Sequence, residues 1–205
     1  MWKNRNEVSF HNNILVIVVL IPLFFVNACG GLIRSDKPAT TSWWLEPYTG
    51  YPITTPAEPV LALDLSLTVV PGLDSHKILT LTDHAELKKY AGARWADSLP
   101  ELLHSLVGRS LEASGRFTMV SARGVAKDCD LKLELREFFA NLGSSGKTTG
   151  VQVAIGGQYK CDGSETIPVQ VDAAVSVHDD RMTVIVAAFQ QALDSVMRDL
   201  LQQIQ

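Results

Sequence analysis

Cys129-Asp130-Leu131-Lys132-Leu133-Glu134-Leu135-Arg136 and Val151-Gln152-Val153-Ala154-Ile155, joined through Asn141-Leu142-Gly143-Ser144-Ser145-Gly146-Lys147, form the stretch that decides the fold. In both arms every second side chain is apolar, the period of a strand with one buried face. The linking residues are turn formers. A hairpin folded about Ser145 sets Leu135 opposite Ile155, Leu131 opposite Tyr159, and Cys129 opposite Cys161. A one-residue slip would turn every inward side chain outward, and in this register both cysteines share the face of the leucines. A disulfide Cys129–Cys161 is therefore expected at the hairpin base, contributing roughly 3.5 kcal/mol. Two unpaired core thiols are the alternative. A zinc site is not supported, because no neighbouring His or second Cys supplies ligand spacing. Gly156-Gly157 extends the second arm and marks a bulge or a close backbone approach.

Outward from the hairpin, Leu61, Leu63, Leu65, Leu67 and Val69 alternate with Ala62, Asp64, Ser66 and Thr68, and Val70-Pro71-Gly72-Leu73-Asp74 ends that strand. Ile78 to Thr82 reads as a second strand and Glu86 to Tyr90 as a short third. Ser98-Leu99-Pro100-Glu101 is a capping box with Pro in the first turn. The helix it opens carries Leu99, Leu102, Leu103, Leu106, Val107 and Leu111 at helical spacing and stops at Gly115. Phe117 to Ser121 and Val169 to Val177 read as further strands. From about Met182 a second amphipathic helix lines up Ile185, Phe189, Leu193, Val196, Leu200 and Ile204; packing on its own sheet is favoured over gripping a partner, because the sheet has an apolar face to cover. The expected fold is α+β: a single domain over residues 42–205, with a largely antiparallel β-sheet and two amphipathic helices packed on one face. No internal repeat is evident.

The 205 residues are 46% apolar, 20% charged and 7% aromatic, with 14 Gly and 9 Pro, which excludes disordered, collagenous and coiled-coil chains. Formal charge is -4 from 18 Lys+Arg and 22 Asp+Glu, with no basic run. A nucleic-acid partner is therefore not expected. Part of the mean hydropathy of +0.12 comes from one block, the 13 residues Ile14 to Val26, which follow the polar stretch Met1 to Asn13. This is the order of a bacterial export signal. The run falls short of the ~20 apolar residues that a membrane-crossing helix needs.

Val26-Asn27-Ala28-Cys29-Gly30 follows at once and resembles a bacterial lipobox. That resemblance implies a lipoprotein signal peptide over residues 1–28, cleaved before Cys29, with diacylglycerol on the Cys29 thiol and an acyl group such as palmitate on the new amino terminus. Two or more acyl chains anchor stably where one is marginal. Gly30, rather than Asp, implies sorting to the periplasmic side of the outer membrane. Losing Lys3, Arg5 and Glu7 with the signal makes the mature chain one charge more negative. Residues 29–41 lack periodicity and read as a flexible tether. Trp43 and Trp44 then face opposite ways on a short strand, so at least one belongs to the core. With Cys29 lipidated, Cys129 and Cys161 are the pair left for an oxidising compartment.

With these elements in order the chain resembles the ABC-type transport auxiliary lipoproteins. The resemblance rests on the lipobox at Cys29, on Trp43-Trp44-Leu45, on Val69-Val70-Pro71-Gly72-Leu73-Asp74, and on Arg94-Trp95-Ala96-Asp97-Ser98-Leu99-Pro100. It implies a lipid-anchored accessory subunit without ATPase activity, beside an ABC transporter and an MCE-domain protein, in a system moving lipids or other hydrophobic molecules between inner and outer membranes. The Cys129–Cys161 bridge is not part of that family pattern. A homo-oligomer is compatible with it.

The residues give no reason to expect an enzyme, a cofactor or a metal. There is no G-x-S-x-G elbow and no P-loop. The histidines, His11, His76, His84, His104 and His178, are scattered, and His178-Asp179-Asp180 reads as a turn with a helix N-cap before it reads as a metal cluster. A structural lipoprotein that scaffolds or activates a cell-envelope machine without binding lipid is the alternative function. A hydrophobic groove would favour transport, and a solid core with one polar interaction face would favour the scaffold.

Overall fold

The computed structural model describes residues 39–50, 59–120 and 126–204. The apolar run, Cys29, the tether as far as residue 38, and Ser121 lie outside them. The elements in chain order are β1 (Thr41–Trp43), β2 (Leu61–Val69), β3 (Lys77–Thr82), β4 (Leu87–Trp95), α1 (Leu99–Ala113), β5 (Phe117–Met119), β6 (Cys129–Leu142), β7 (Thr148–Cys161), β8 (Ile167–Ser176) and α2 (Met182–Gln203).

Strand β6 is the spine of one eight-stranded sheet. Along one edge it pairs antiparallel with β7, which in turn pairs antiparallel with β8. Its other edge is shared end to end: β2 runs parallel beside Cys129 to Leu135, and β3 runs parallel beside Ala140 to Leu142. The change of partner coincides with a bulge between Leu135 and Glu137. An extra residue bends and twists a strand, so one long strand can serve two shorter ones. The sheet continues outward from β2 to β5, and from β3 through β4 to β1.

Leu135 lies opposite Ile155, Leu131 opposite Tyr159 and Cys129 opposite Cys161, the register that the alternation predicts. Beyond the bulge it shifts by one, so that Phe138 meets Val153. The expectation of a largely antiparallel sheet is corrected: four strand pairings are parallel (β1–β4, β2–β5, β2–β6, β3–β6) against three antiparallel. Antiparallel neighbours can be joined by tight turns, whereas parallel neighbours need long crossovers. The parallel neighbours β2 and β5 are joined by one that runs through β3, β4 and α1.

Both helices cover the same face of the sheet, α1 on β2 and β5, α2 on β7 and β8. The face they cover carries Leu63, Leu65, Leu131, Leu133, Leu135, Ile155, Val169 and Val171, all buried in one continuous core. At its centre the Trp95 ring meets Phe189 edge-on at 5.3 Å and Phe138 at 5.6 Å, while Phe138 and Phe189 stack at 4.8 Å. Such pairs add about 0.5 to 1.5 kcal/mol each beyond the area they bury. Trp95 is thus the last residue of a strand and a core anchor.

Three local expectations are refined. β4 is longer than the predicted third strand, extending to Trp95; its polar residues hide the alternation because much of it is exposed. Ser98 is the N-cap of α1, yet its hydroxyl makes no cap hydrogen bond and is buried without a partner. Pro100 has no N–H to offer it, and the Leu99 N–H goes to Ser75 O at 3.1 Å. Gly115 does take the left-handed stop, with φ 70°, and its N–H bonds Glu112 O at 3.0 Å.

Candidate functional site

The side of the sheet opposite the helices is open to solvent, and a polar groove of about 690 Å³ crosses it over β6, β7 and β8. Its charged lining is Lys132, Glu134 and Arg136, the outward-facing positions of β6, and its amides are Gln158, Gln170 and Gln203. Gly156 and Gly157 form the floor. A Cβ at Gly156 would lie 2.3 Å from Arg136 Cζ, so the guanidinium occupies the space that a side chain would fill. A Cβ at Gly157 would lie 2.1 Å from Lys132 O, so two backbones approach there. Of the two sequence readings of this glycine pair, close approach holds at Gly157; the bulge lies on the facing strand, at Leu135/Glu137.

Arg136 Nε donates to Glu134 Oε2 at 3.2 Å, and its two Nη groups make no hydrogen bond among the described residues. Farther along the same face, Lys127 bridges Asp64 at 2.7 Å and Asp130 at 2.5 Å, tying β2 to β6. Those two contacts, Asp130 first, raise the Lys127 pKa above its usual value. At the β8 edge the Gln203 amide mimics a strand, accepting from Gln170 N at 3.2 Å and donating to Gln170 O at 2.9 Å. This closes part of an edge that would otherwise show unpaired main-chain groups.

On the helical side, residues after β1 form a strap. Leu45 is buried, Glu46 bonds Gln190, and Tyr48 N donates to Ser110 Oγ at 2.9 Å. Trp43 packs against the core while Trp44 is 47% exposed, the opposition expected of neighbours on a strand.

Of the residues expected to matter, Cys29 falls outside the described residues. Cys129 and Cys161 are joined by a disulfide, with Cα atoms 3.9 Å apart. The Tyr159 hydroxyl lies 3.3 Å from one sulfur and 2.8 Å from the other, and burial raises its pKa. His178-Asp179-Asp180 forms a bend rather than a turn, and the N-cap of α2 is Arg181. Asp179 bonds Arg181 N at 3.0 Å and Arg181 Nε at 2.6 Å, whereas Asp180 accepts from Thr148 N at 3.0 Å and so pins the start of β7. Asp180 and Thr148 also meet the Tyr90 hydroxyl, whose pKa burial raises. The described residues contain no group of three or more His, Cys, Asp or Glu able to hold a metal. None of their helices is long and apolar enough to cross a membrane. The groove itself was not anticipated. Its outward residues were legible from alternation, but their gathering around Gly156 depends on the three-strand register and on the end of α2.

These features define an α+β domain with a solid core, an open polar sheet face and an N-terminal strap. The chain belongs to the ABC-type transport auxiliary lipoprotein component family, whose sequence pattern matches residues 50–200. A crystal structure of the Xanthomonas campestris protein XCC0632, of family DUF330, shares the fold at TM-score 0.59 and 23% identity, covering 80% of this chain and 91% of that one. A second crystal structure, described as an uncharacterized protein, aligns at TM-score 0.64 and 13% identity, covering 82% of this chain and 100% of the other. No curated protein matches the chain.

Proposed function

We propose that this chain is a lipid-anchored, non-enzymatic accessory subunit of an MCE/ABC-type transport system, held on the periplasmic side of the outer membrane. Membership of a transport auxiliary lipoprotein family carries the reading. The proposed anchor is Cys29, acylated after removal of residues 1–28, with residues 29–41 as the tether that leads into β1 and the strap. The proposed partners are an MCE-domain protein and the membrane that holds the acyl chains.

One observation favours the second reading, a scaffold that does not bind lipid within its body. The core is continuous and the groove on the open face is polar, so the described domain offers docking chemistry rather than an apolar conduit. In the transport reading, the hydrophobic path then belongs to the partner, and this chain contributes attachment and position.

Pull-down of the lipidated chain from envelope extracts that preserve membrane complexes should recover an MCE-domain protein. Repeated recovery of peptidoglycan-synthesis proteins in its place would transfer the conclusion to the scaffold. Cys29→Ala should leave the body free in the periplasm or held by an uncleaved signal; normal outer-membrane placement of that variant would defeat the anchor.

A further inference from the structure

We infer that the groove over Gly156 and Gly157 is an oxyanion-binding site that takes a phosphate group, free or esterified as a headgroup. Gln203 Nε2, Arg136 Nε and the Thr68 hydroxyl of the lining are engaged, and three further donor groups remain for a ligand. Among the described residues, Lys132 Nζ and the Gln158 amide make no hydrogen bond or ion pair, and Glu134 engages Arg136 through Nε and not through the Nη groups. An Arg fork held from behind by a carboxylate is suited to two parallel bonds to one oxyanion. Lys132 and Arg136 outnumber the single carboxylate of the lining, Glu134, so the groove is locally positive on a chain whose formal charge is -4. The other acids near β6, Asp64, Asp130, Glu137 and Asp172, do not line the groove, and Lys127 bridges the first two, offsetting one of their two charges.

The glycine floor gives the site its shape. With no side chain at Gly156, the guanidinium packs against the main chain of β7, inside the open groove. Any Cβ at Gly156 must push the guanidinium away without changing a single charge. Neither Lys132 nor Arg136 supports the core, since both side chains are on the solvent face. The inference does not depend on the transport reading, because it concerns the chain alone.

The test is a titration of the full-length chain in a non-ionic detergent at fixed ionic strength, following the amide resonances of Gly156 and Gly157. One arm uses inorganic phosphate, the other glycerophosphoglycerol, the water-soluble headgroup of an anionic phospholipid. At least one arm should saturate below about 10 mM; the tighter arm identifies the source. Lys132→Gln and Arg136→Gln should each weaken binding at least about tenfold, the equivalent of ~1.4 kcal/mol. Gly156→Ala should weaken it comparably with all charges retained. Lys160→Gln, which removes one cation outside the groove, should leave it unchanged. Failure of both arms to saturate, or an equal loss in Lys160→Gln, would overturn the site. Capture of an MCE protein is scored separately, so either conclusion can fall without the other.

Discussion

The Gln190 side-chain amide of α2 closes a two-way pair with the main chain of Glu46: Glu46 N donates to Oε1 at 2.8 Å, and Nε2 donates to Glu46 O at 2.9 Å. A residue 144 positions away in sequence thereby holds the strap, and Asp194 orients the amide by accepting from Nε2 at 2.9 Å. Together with the β1–β4 pairing, this pair holds the segment that follows β1 against the domain.

Replacing Gln190 by Ala should destabilise the strap by about 1 to 2 kcal/mol, since two net hydrogen bonds of ordinary strength are lost at an exposed site. Hydrogen exchange at the Glu46 and Tyr48 amides should accelerate, while amides of β6 and β7 keep their protection. Gln190→Glu should recover none of the bond to Glu46 O, because a carboxylate has no donor for it. Uniform acceleration across the sheet would contradict a local role.

Two neighbouring glycines should respond differently to the same change. Gly157→Ala places Cβ 2.1 Å from a main-chain oxygen, so strands must shift, at about 2 to 3 kcal/mol. Gly156→Ala meets the mobile end of Arg136 and should cost well under half of that. Denaturant midpoints of the two variants make the comparison.

Phe189→Ala should lose about 3 to 5 kcal/mol by opening a cavity beside Trp95 and Phe138. Trp44→Ala, at an exposed ring, should stay within about 0.5 kcal/mol. Thermal unfolding of both would show whether aromatic bulk or burial governs stability here.

Joint replacement of Cys129 and Cys161 by Ala should lower stability by about 3 to 4 kcal/mol with an unchanged fold, in the chain-entropy account of cross-links. Thiol titration of the mature, lipidated protein should find no reactive thiol before reduction and two after it. Two thiols titrating without reductant would exclude the bridge from the native protein.

The Thr148 hydroxyl and then its N–H hold the Asp180 carboxyl below its ordinary pKa. A depressed folded pKa gives stability that is complete above the unfolded value of about 3.9. That contribution disappears as pH falls through the lower folded value. Asp180→Asn should therefore flatten part of the acid limb of the stability curve below about pH 4, and leave its alkaline limb unchanged. Circular dichroism melts across that range give the measurement.

Elements governed by near neighbours in sequence were readable without coordinates. The pairing of Cys129 with Cys161 follows from period-two alternation and one turn, and the helix stripe from Leu99 to Leu111 needs only its own spacing. The full length of β4 is not legible in the sequence because Lys88, Lys89 and Arg94 sit on a largely exposed strand, where burial imposes no pattern. Ser98 was correctly placed as the N-cap, but Pro100 and Ser75 decide what its hydroxyl can reach.

The sequence by itself determined the hairpin register from Cys129 to Leu135, the two helices, the apolar face they cover and the family to which the chain belongs. These depend on periodicity and short-range geometry, which a linear string carries. Tertiary structure alone decided that β2 and β3 run parallel to β6, that Gln190 and Gln203 grip main chain far away, and that Arg136 settles over Gly156. Each of those joins residues whose separation in sequence says nothing about direction or distance, so the packing of the whole sheet had to set them.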